Sequence, residues 1–253
     1  MIAPLVTVVT ASFNALDGVK ATIASVAEQS FRAVEHIVVD GGSKDGTAEY
    51  LHSLGDKVRW ISEPDQGIAD ALNKGVRMAR GEYILVLQAE DTFLHADSLA
   101  HAEPYLRGDI DIVAFGIFLG SERRISRGFG LRTRLHQPFF HQGAFCRASL
   151  FERIGLFDTN LSIAMDYDFF VRAYLAGASS RILREPIALM PPTGVGSQLD
   201  WKTLARRLSE NRRVHFRYAA QPAIRLFYHL YWLAYPPFKR LRSVLDGRLR
   251  EHH

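Results

Sequence analysis

Short apolar runs rich in β-branched residues alternate with longer amphipathic segments through the first half of the chain. The apolar runs predict strands at residues 5–10, 34–40, 58–62, 83–88 and 112–119. The segments between them predict helices at residues 18–29, 45–54, 67–80 and 95–106. This alternation is typical of an α/β fold in which crossover helices flank a mostly parallel sheet.

The alternation weakens past residue 120. The pattern there predicts strands at residues 141–146 and 181–190, and helices at residues 148–154 and 166–176. Two or three further helices are predicted, with breaks near Pro222 and at Pro236 and Pro237, because proline cannot donate a helical hydrogen bond. We therefore predict an α/β domain over residues 1–200 and a helical C-terminal extension over residues 201–253.

The composition is that of an ordinary globular protein, since 47% of the 253 residues are hydrophobic and 23% are charged. A single cysteine, Cys146, excludes an internal disulfide framework and a multi-cysteine zinc site, and it favours a reducing compartment. The N-terminal residues lack the pattern of a secretory signal, and no window approaches the roughly 18 to 20 apolar residues that cross a bilayer. These features predict a cytoplasmic protein.

The charge of the chain is concentrated at one end. Residues 201–253 hold 12 Lys and Arg against 3 Asp and Glu, a net +9, whereas residues 1–200 hold 19 against 24, a net −5. Residues 222–238 add six aromatic side chains to the basic segment. This combination suits an in-plane attachment to an anionic membrane surface. A helical hairpin that packs its aromatic residues on the α/β domain or on a second subunit, in a homodimer, would have the same sequence. No recognised nucleic-acid-binding module is present.

Polar segments follow four of the predicted strands, at residues 10–14, 40–47, 63–67 and 88–91. Ligands of open α/β sheets bind beyond the carboxyl ends of the strands, so we expect the four segments to converge on one site. In residues 40–47, glycines let the backbone approach a ligand, and Asp40 can accept hydrogen bonds from a base or a ribose. A plain turn in which Asp45 caps the next helix would have the same sequence. The pattern of a P-loop is absent.

Glu90 and Asp91 are adjacent carboxylates directly after an apolar strand. Their mutual repulsion is relieved by a divalent cation, and Mg²⁺ or Mn²⁺ takes one or two carboxylates together with phosphate oxygens and water. The pair therefore indicates a metal site. The alternative is that Asp91 caps a helix that begins near Thr92.

Six fragments resemble, in order, glycosyltransferase family 2, the inverting enzymes of GT-A fold that use nucleotide-diphosphate sugars. The fragments are VTVVTASFN, HIVVDGGSKDGT, WISEPDQGIADALNKG, GEYILVLQAED, HQGAFCRASLFERIGLFD and MDYDFFVR, and the resemblance runs from about residue 5 to about residue 197. It implies a GT-A catalytic domain over residues 1–200. It also implies a Mn²⁺ or Mg²⁺ cofactor on Asp91, with Glu90 facing the metal or the ribose. This chain has Glu90 where the family commonly has Asp.

The resemblance also implies contacts to the nucleotide-sugar donor, with Asp40 reading the base. The implied donor residues are Thr10, Ser12, Asn14, Asp40, Gly41, Asp65, Gly67, Asp70, Asn73 and Glu90. Asp70 and Asn73 are three residues apart on the predicted helix, on a face away from its apolar stripe, and can therefore address one ligand from the same side.

Asp166 takes the place of the family's catalytic base, which removes the proton of the acceptor hydroxyl. Met165 stands where the family has a Glu before this Asp. The start of a helix would keep Asp166 ionised. Asp168 is a competitor for the role, and both residues could instead be helix caps. The resemblance further implies that His141 and Gln142 border the donor or acceptor pocket, and that Ser197 belongs to a loop over the site.

Together with the resemblance, these observations predict a metal-dependent, inverting glycosyltransferase. The resemblance alone implies that it is of bacterial type and extends a cell-surface or exported polysaccharide. The donor expected by default is a UDP-sugar, and the acceptor is a glycan or a lipid-linked glycan on the cytoplasmic face of the plasma membrane. One alternative is a sugar-nucleotide-binding protein without transfer activity, which the two departures at Glu90 and Met165 favour. Another is a nucleotidyltransferase, although the Gly-rich basic N-terminal loop expected of that class is absent.

Overall fold

A computed structural model of the chain describes residues 3–192 and 201–250, with side chains as far as residue 240. The chain divides into two compact units, residues 1–198 and 199–253. The strands within the described ranges are β1 (Val6–Ser12), β2 (Val34–Asp40), β3 (Arg59–Ser62), β4 (Tyr83–Val86), β5 (Thr92–Phe93), β6 (Ile112–Leu119), β7 (Glu122–Arg124), β8 (Ala144–Arg147) and β9 (Ser180–Met190). The helices are α1 (Leu16–Ala27), α2 (Thr47–Ser53), α3 (Ile68–Met78), α4 (Ser98–Leu106), α5 (Ala148–Ile154), α6 (Met165–Leu175), α7 (Trp201–Arg217) and α8 (Pro222–Arg250).

The first unit is built on one sheet in the order β3–β2–β1–β4–β8–β6–β9–β5, with β7 beside β6. Strands β3, β2, β1 and β4 pair in parallel, as do β6 and β9. The remaining pairs are antiparallel. The chain runs outward from β1 to β3 and then returns to β4 on the opposite side of β1. The point where the strand order reverses therefore lies between β1 and β4, and ligands of open α/β sheets bind at such a point.

Helix α3 lies very close to the sheet. Its buried stripe includes Ala71, Leu72 and Val76, as the sequence period predicted. A Cβ added at Gly75 would lie 2.3 Å from Val9 Cγ1, so only glycine lets the helix approach β1 this closely. The start of α3 is thereby held beside the carboxyl ends of the parallel strands.

The α/β fold predicted from the sequence is confirmed, and the five strands expected in the first half are β1 to β4 and β6. The strand expected at residues 141–146 begins only at Ala144, because His141–Gly143 forms a turn of 3₁₀-helix. Successive side chains of a strand point to opposite faces, whereas this turn directs His141 and Gln142 into the same site. The helix expected at residues 166–176 is α6.

The second unit consists of α7 and α8, which are separated by residues 218–221 as the sequence predicted for the region of Pro222. The break predicted at Pro236 and Pro237 was wrong, since both prolines lie inside α8. The fixed φ of proline is compatible with a helix, so the consequence is two missing hydrogen bonds rather than an end of the helix. In the described parts of the chain, no helix combines the length and the apolar character needed to cross a membrane.

Candidate active site

The four polar segments after β1, β2, β3 and β4 meet at one edge of the sheet, as predicted. The backbone N–H of Gly41 donates to Ser12 O at 2.8 Å, and that of Glu63 donates to Asp40 O at 3.0 Å. On the other side of β1, the N–H of Ala89 donates to Ala11 O at 3.3 Å. These bonds continue the strand pairing past the ends of the strands, so the four segments form a continuous rim, which we call the strand-end rim.

Asp40 is fully buried below this rim. Its Oδ2 accepts hydrogen bonds from the Ser43 N–H at 3.0 Å and from the Ser62 hydroxyl at 2.6 Å, and its Oδ1 accepts from the Ser43 hydroxyl. The carboxylate therefore holds together the segments that follow β2 and β3. Its direct contact with a base stays a prediction.

Thr10 and Ser12 are buried on β1. The Thr10 hydroxyl lies 2.9 Å from His36 Nε2, and burial lowers the pKa of His36 to about 3, so this histidine is neutral. Ser12 Oγ is buried without a hydrogen-bond partner within the described ranges. Of the two hydroxyls, that of Ser12 is thus the one still open to a bond, and the donor roles of both residues stay predictions.

Phe13 is a residue of the rim that the sequence analysis missed. Its side chain is 65% exposed, although an apolar residue after a strand resembles part of a core. A Cβ added at Gly41 would lie 2.5 Å from Asp65 Oδ2 and 3.3 Å from Phe13 Cδ2. Gly41 therefore leaves room for the Asp65 carboxylate and the exposed ring to lie side by side on the rim.

The loops after β1 and β2 are joined by side chains. The Lys44 N–H donates to Asn14 Oδ1 at 2.9 Å, and the Asn14 N–H donates to Ser43 Oγ at 2.7 Å. Asp45 accepts bonds from the N–H of Leu16, the first residue of α1, and from the N–H of Thr47, the first residue of α2. Asp45 therefore holds the first backbone N–H group of α1 and of α2, although Gly46 and not Asp45 stands at the N-cap position of α2.

The start of α3 lies at the same rim. Asp65 Oδ1 accepts a bond from the Gly67 N–H at 2.7 Å, and Asp70 Oδ2 accepts one from the Gln66 N–H at 3.2 Å. Lys74 Nζ lies 3.7 Å from Asp70 Oδ2. These bonds fix two carboxylates at the rim, where a donor could reach them.

Asn73 does not share that face. It is buried, and its amide forms two hydrogen bonds of 2.9 Å with the backbone N–H and C=O of Phe157. The prediction that Asn73 lies away from the buried side of α3 was therefore wrong, because the backbone of Phe157, 84 positions away, captures its amide. Its donor role stays a prediction, and its visible function is to hold the loop before α6.

Glu90 and Asp91 lie at the end of the segment after β4. Glu90 is exposed, and its backbone φ is 83°, a value that residues other than glycine rarely adopt. It fits closely against α1, since a Cβ added at Gly18 would lie 2.6 Å from Glu90 Cγ. Residues Thr92–Phe93 form β5 and α4 begins only at Ser98, so Asp91 does not cap a helix.

Asp91 is a buried carboxyl group, 4% exposed. Burial raises its pKa to about 6, against the opposing effects of the His141 charge and of hydrogen bonds from Gln88 and Gln142. Within residues 3–192 and 201–240, no cluster of three or more His, Cys, Asp and Glu side chains is placed to hold a metal. The pair of Glu90 and Asp91 instead fits a hard cation that takes its other ligands from phosphate and water.

His141 lies between Asp91 and Asp166. Its Nδ1 is 3.3 Å from Asp166 Oδ2, and its Nε2 is buried without a partner in the part of the chain that the structure describes. Burial alone would lower the pKa of His141, but the hydrogen bond and charge of Asp166 and the charge of Asp91 raise it. The adjacent residues His141 and Gln142 thus contact the two carboxylates, His141 that of Asp166 and Gln142 that of Asp91.

Asp166 lies in the first turn of α6, as predicted. Its Oδ2 accepts a 2.6 Å hydrogen bond from Gln137 Nε2, and its Oδ1 accepts one of 2.7 Å from the Tyr167 N–H. Gln137 also donates to Phe139 O at 2.9 Å. The sequence analysis missed Gln137, which lies 29 residues before Asp166. Together with His141, it fixes the orientation of the carboxylate.

Asp168 is directed away from this site. It is 1% exposed, and its Oδ2 accepts a 2.9 Å bond from Arg172 Nε. Arg172 also donates to the backbone carbonyls of Gly155 and Leu156 after α5. Asp168 thus has a structural role that is an alternative to the role of base, because its ion pair with Arg172 connects α6 to the end of α5. Its pocket role stays a prediction.

We expect Asp168→Ala to lower the free energy of unfolding by about 3 kcal/mol, because it leaves the buried end of Arg172 without its counter-ion. Urea unfolding followed by circular dichroism measures this change. The control is Asp17→Ala, whose carboxylate is fully exposed, and which should change the stability by less than about 0.5 kcal/mol. An Asp168→Ala protein of unchanged stability but without turnover would return Asp168 to the catalytic site.

A small apolar cavity lies behind His141 and Asp166. Its wall includes Leu72, Val86 and Met165, together with several phenylalanines. Met165 is buried, so the Glu that the family resemblance led us to expect here would place a second charge in apolar surroundings. Ser197, the last of the predicted site residues, lies outside the described residues.

Comparisons with known proteins match this chain to glycosyltransferases. The model of the family described as Glycosyl transferase family 2 matches residues 7–166. An uncharacterized glycosyltransferase of Mycobacterium tuberculosis is 36% identical over 226 residues, which are 85% of this chain and 86% of that protein. A PGL/p-HBAD biosynthesis glycosyltransferase of Mycobacterium bovis is 30% identical over 182 residues, or 69% of this chain and 71% of the relative.

Two solved structures share the fold. The mannosyltransferase PcManGT of Pyrobaculum calidifontis, in complex with GDP-Man and Mn²⁺, aligns with a TM-score of 0.69 and 21% identity over 96% of this chain and 74% of its own. Residues 1–349 of Staphylococcus aureus TarS, in complex with UDP, align with a TM-score of 0.60 and 16% identity over 83% of this chain and 69% of that one.

Proposed function

Since this chain belongs to glycosyl transferase family 2, we propose that it transfers a sugar from a nucleotide-diphosphate sugar to an acceptor hydroxyl, with inversion at the anomeric carbon. One observation carries the proposal. Asp91 is a buried carboxylate at the end of the segment after β4, and its charge acts on His141, whose Nδ1 lies 3.3 Å from the second carboxylate, Asp166. This arrangement offers a position for a diphosphate and a position for a base on neighbouring sides of one site.

The donor half of the site is the rim between β1 and β3. The exposed Phe13 ring suits stacking against a base, and the neighbouring Asp65 and the Ser12 hydroxyl suit hydrogen bonds to the polar edges of the nucleotide. Aromatic stacking contributes about 1–3 kcal/mol per base. We propose a UDP-sugar as the donor, and this choice is supported by the UDP complex of TarS, while GDP remains the alternative because PcManGT binds GDP-Man.

The donor diphosphate is proposed to lie at Glu90 and Asp91 together with Mn²⁺ or Mg²⁺. A bound cation would neutralise the charge of the leaving diphosphate. The residues fit such an ion for two reasons. Asp91 is a buried carboxylate that forms no salt bridge with a cationic side chain among the described residues, and Glu90 is held next to it by α1. Mn²⁺ in the complex of PcManGT supports this assignment.

The acceptor half of the site is proposed to lie at Asp166. The acceptor oxygen forms a bond to the anomeric carbon, the bond from that carbon to the diphosphate oxygen breaks, and the hydroxyl proton passes to the Asp166 carboxylate. Gln137 Nε2 and the Tyr167 N–H hold the two carboxylate oxygens in place. His141 Nε2, which has no partner in the described part of the chain, is available to a ligand oxygen.

We propose a glycan or a lipid-linked glycan of the cell surface as the acceptor, reached from the cytoplasmic side of the membrane. The relative from Mycobacterium bovis is named for PGL/p-HBAD biosynthesis, which supports a biosynthetic transfer. Proton removal by Asp166 requires only a hydroxyl group on the acceptor. The identity of the acceptor therefore depends on the protein surface around the site.

The proposal is tested by thermal unfolding with UDP, GDP, dTDP and their sugar conjugates, each with and without Mn²⁺. A ligand at 100 times its dissociation constant should stabilise the protein by about 2.7 kcal/mol. Phe13→Leu is expected to weaken nucleotide binding about tenfold, because a branched side chain cannot stack on a base. Phe227→Leu, at an exposed phenylalanine of the second unit, is the control and should bind as the wild type does.

Absence of a shift with every nucleotide, in a sample with a cooperative melting transition, would contradict the donor site. Equal affinities of Phe13→Leu and the wild type would leave the donor site in place but remove Phe13 from it.

A further inference from the structure

The second unit has an aromatic interior. The Trp232 Nε1–H donates to His215 Nδ1 at 3.0 Å, and the Tyr228 ring stacks on the His215 ring with centroids 4.7 Å apart. Tyr228 and Trp232 are 3% and 9% exposed. These two aromatic residues of the tail therefore join α7 to α8, and they are not the ones that remain available to a partner.

A different set of residues on α8 is exposed. Its members are large and apolar, and each is between 49% and 74% exposed: Leu226, Phe227, Leu230, Leu233 and Phe238. Leu226, Leu230 and Leu233 have the spacing of one helix face, with Phe227 beside them and Phe238 farther along. We call these five residues the α8 apolar stripe. Soluble proteins rarely expose an apolar surface of this kind without a partner.

The stripe is surrounded by positive charge. Arg225 precedes it and Lys239 and Arg240 follow it, and the sequence contains no Asp or Glu from residue 211 to residue 245. Seven Lys and Arg lie in that range. A helix with an exposed apolar face, whose charged residues from 222 to 245 are all Lys or Arg, matches the boundary between anionic headgroups and acyl chains.

We propose that the α8 apolar stripe docks on an anionic phospholipid bilayer, with α8 parallel to the membrane surface and the leucines below the headgroups. A second copy of the chain is the less suitable occupant. A symmetric dimer through the same face would place the basic border of one copy against that of the other. Docking does not depend on transfer activity, but it would hold the proposed enzyme at the surface where a lipid-linked acceptor is found.

The test is sedimentation of the full-length protein with vesicles of phosphatidylcholine, alone or with 30% phosphatidylglycerol. We expect binding to the anionic vesicles only, and weaker binding as the salt concentration rises. Leu230→Gln with Leu233→Gln should lower the partition coefficient about a hundredfold, because two leucines no longer enter the bilayer. The matched control replaces Leu131 and Leu175, which are 84% and 43% exposed in the first unit, and should bind as the wild type does.

An unchanged circular dichroism spectrum and a cooperative melting transition show that each variant is folded, so a failure of membrane docking is distinct from a failure of the transferase proposal. Equal binding of the stripe variant and the wild type would overturn the inference. The inference would also be overturned if the wild type did not bind anionic vesicles and instead formed a dimer, measured by light scattering, that the double variant Leu230→Gln, Leu233→Gln did not form.

Discussion

Replacement of Asp166 by Asn should lower turnover about a thousandfold and leave the affinity for the nucleotide-sugar donor within about a factor of two, since general base catalysis commonly contributes 10²- to 10⁴-fold. Asn has nearly the same shape and can still accept a hydrogen bond from Gln137, but it cannot take up the acceptor proton. Stopped assays of sugar transfer measure the first quantity, and thermal shift with the donor measures the second.

Gln137→Leu provides the comparison for this experiment. It removes one hydrogen bond to Asp166 Oδ2 and leaves the carboxylate in place, so its turnover should fall only about tenfold. An Asp166→Asn enzyme with full turnover would place the base elsewhere. The alternative of a sugar-nucleotide-binding protein would be favoured by a different result. In that case the wild type binds the donor but shows no transfer with any acceptor tested, and Asp166→Asn binds the donor equally well.

Asp91→Asn should abolish the metal-dependent part of donor binding and lower transfer at least a hundredfold, because a neutral amide is a poor ligand for a hard cation. Although Asp91→Asn should weaken binding and transfer, it should raise the free energy of unfolding of the metal-free protein. The unfolded chain releases the Asp91 proton near pH 3.8 and the folded protein near pH 6, so the free energy of unfolding falls as the pH rises between these values. At pH 7.5 the buried charge costs about 3 kcal/mol, and Asn removes this cost without the cation.

Urea unfolding at pH 7.5 and pH 5, with and without Mn²⁺, measures both effects. We expect metal-free Asp91→Asn to be more stable than the wild type by about 3 kcal/mol at pH 7.5 and by about half of that at pH 5. Asp17→Asn is the control, since the Asp17 carboxylate is fully exposed and its substitution should leave the stability of the metal-free protein nearly unchanged at both pH values. A metal-dependent donor shift that persists in Asp91→Asn would place the cation at other ligands.

The sequence predicted the fold and the general position of the site because both depend on short-range patterns. Alternation of β-branched runs with amphipathic segments identified the parallel strands, and the rule that their carboxyl ends share an edge brought Asp40, Asp65 and Asp91 together. The uses of single polar residues depend on long-range partners, which periodicity does not reveal. Asn73 is captured by the backbone of Phe157, and Gln137 reaches Asp166 from a separate loop.

Some signals were present but ambiguous. Asp168 and Arg172 have the four-residue spacing of a helical ion pair, which indicates structure as readily as catalysis. Phe13 follows a buried strand and resembles core, and only its 65% exposure distinguishes it. The sequence predicted a break at Pro236 and Pro237 because the cost of a proline in a helix follows from the residue itself. The packing that maintains α8 cannot be inferred from neighbouring residues.

The joined loops after β1 and β2 have a consequence for the thermodynamics of ligand binding. Asn14, Ser43 and Asp45 fix both loops and the first turns of α1 and α2 through hydrogen bonds within the protein itself. A nucleotide entering this edge would not have to order the backbone, so little conformational entropy would be lost there. Calorimetry of nucleotide binding should therefore show a small entropic penalty, and single substitutions such as Asn14→Ala should weaken binding by loosening the loops rather than by removing a contact.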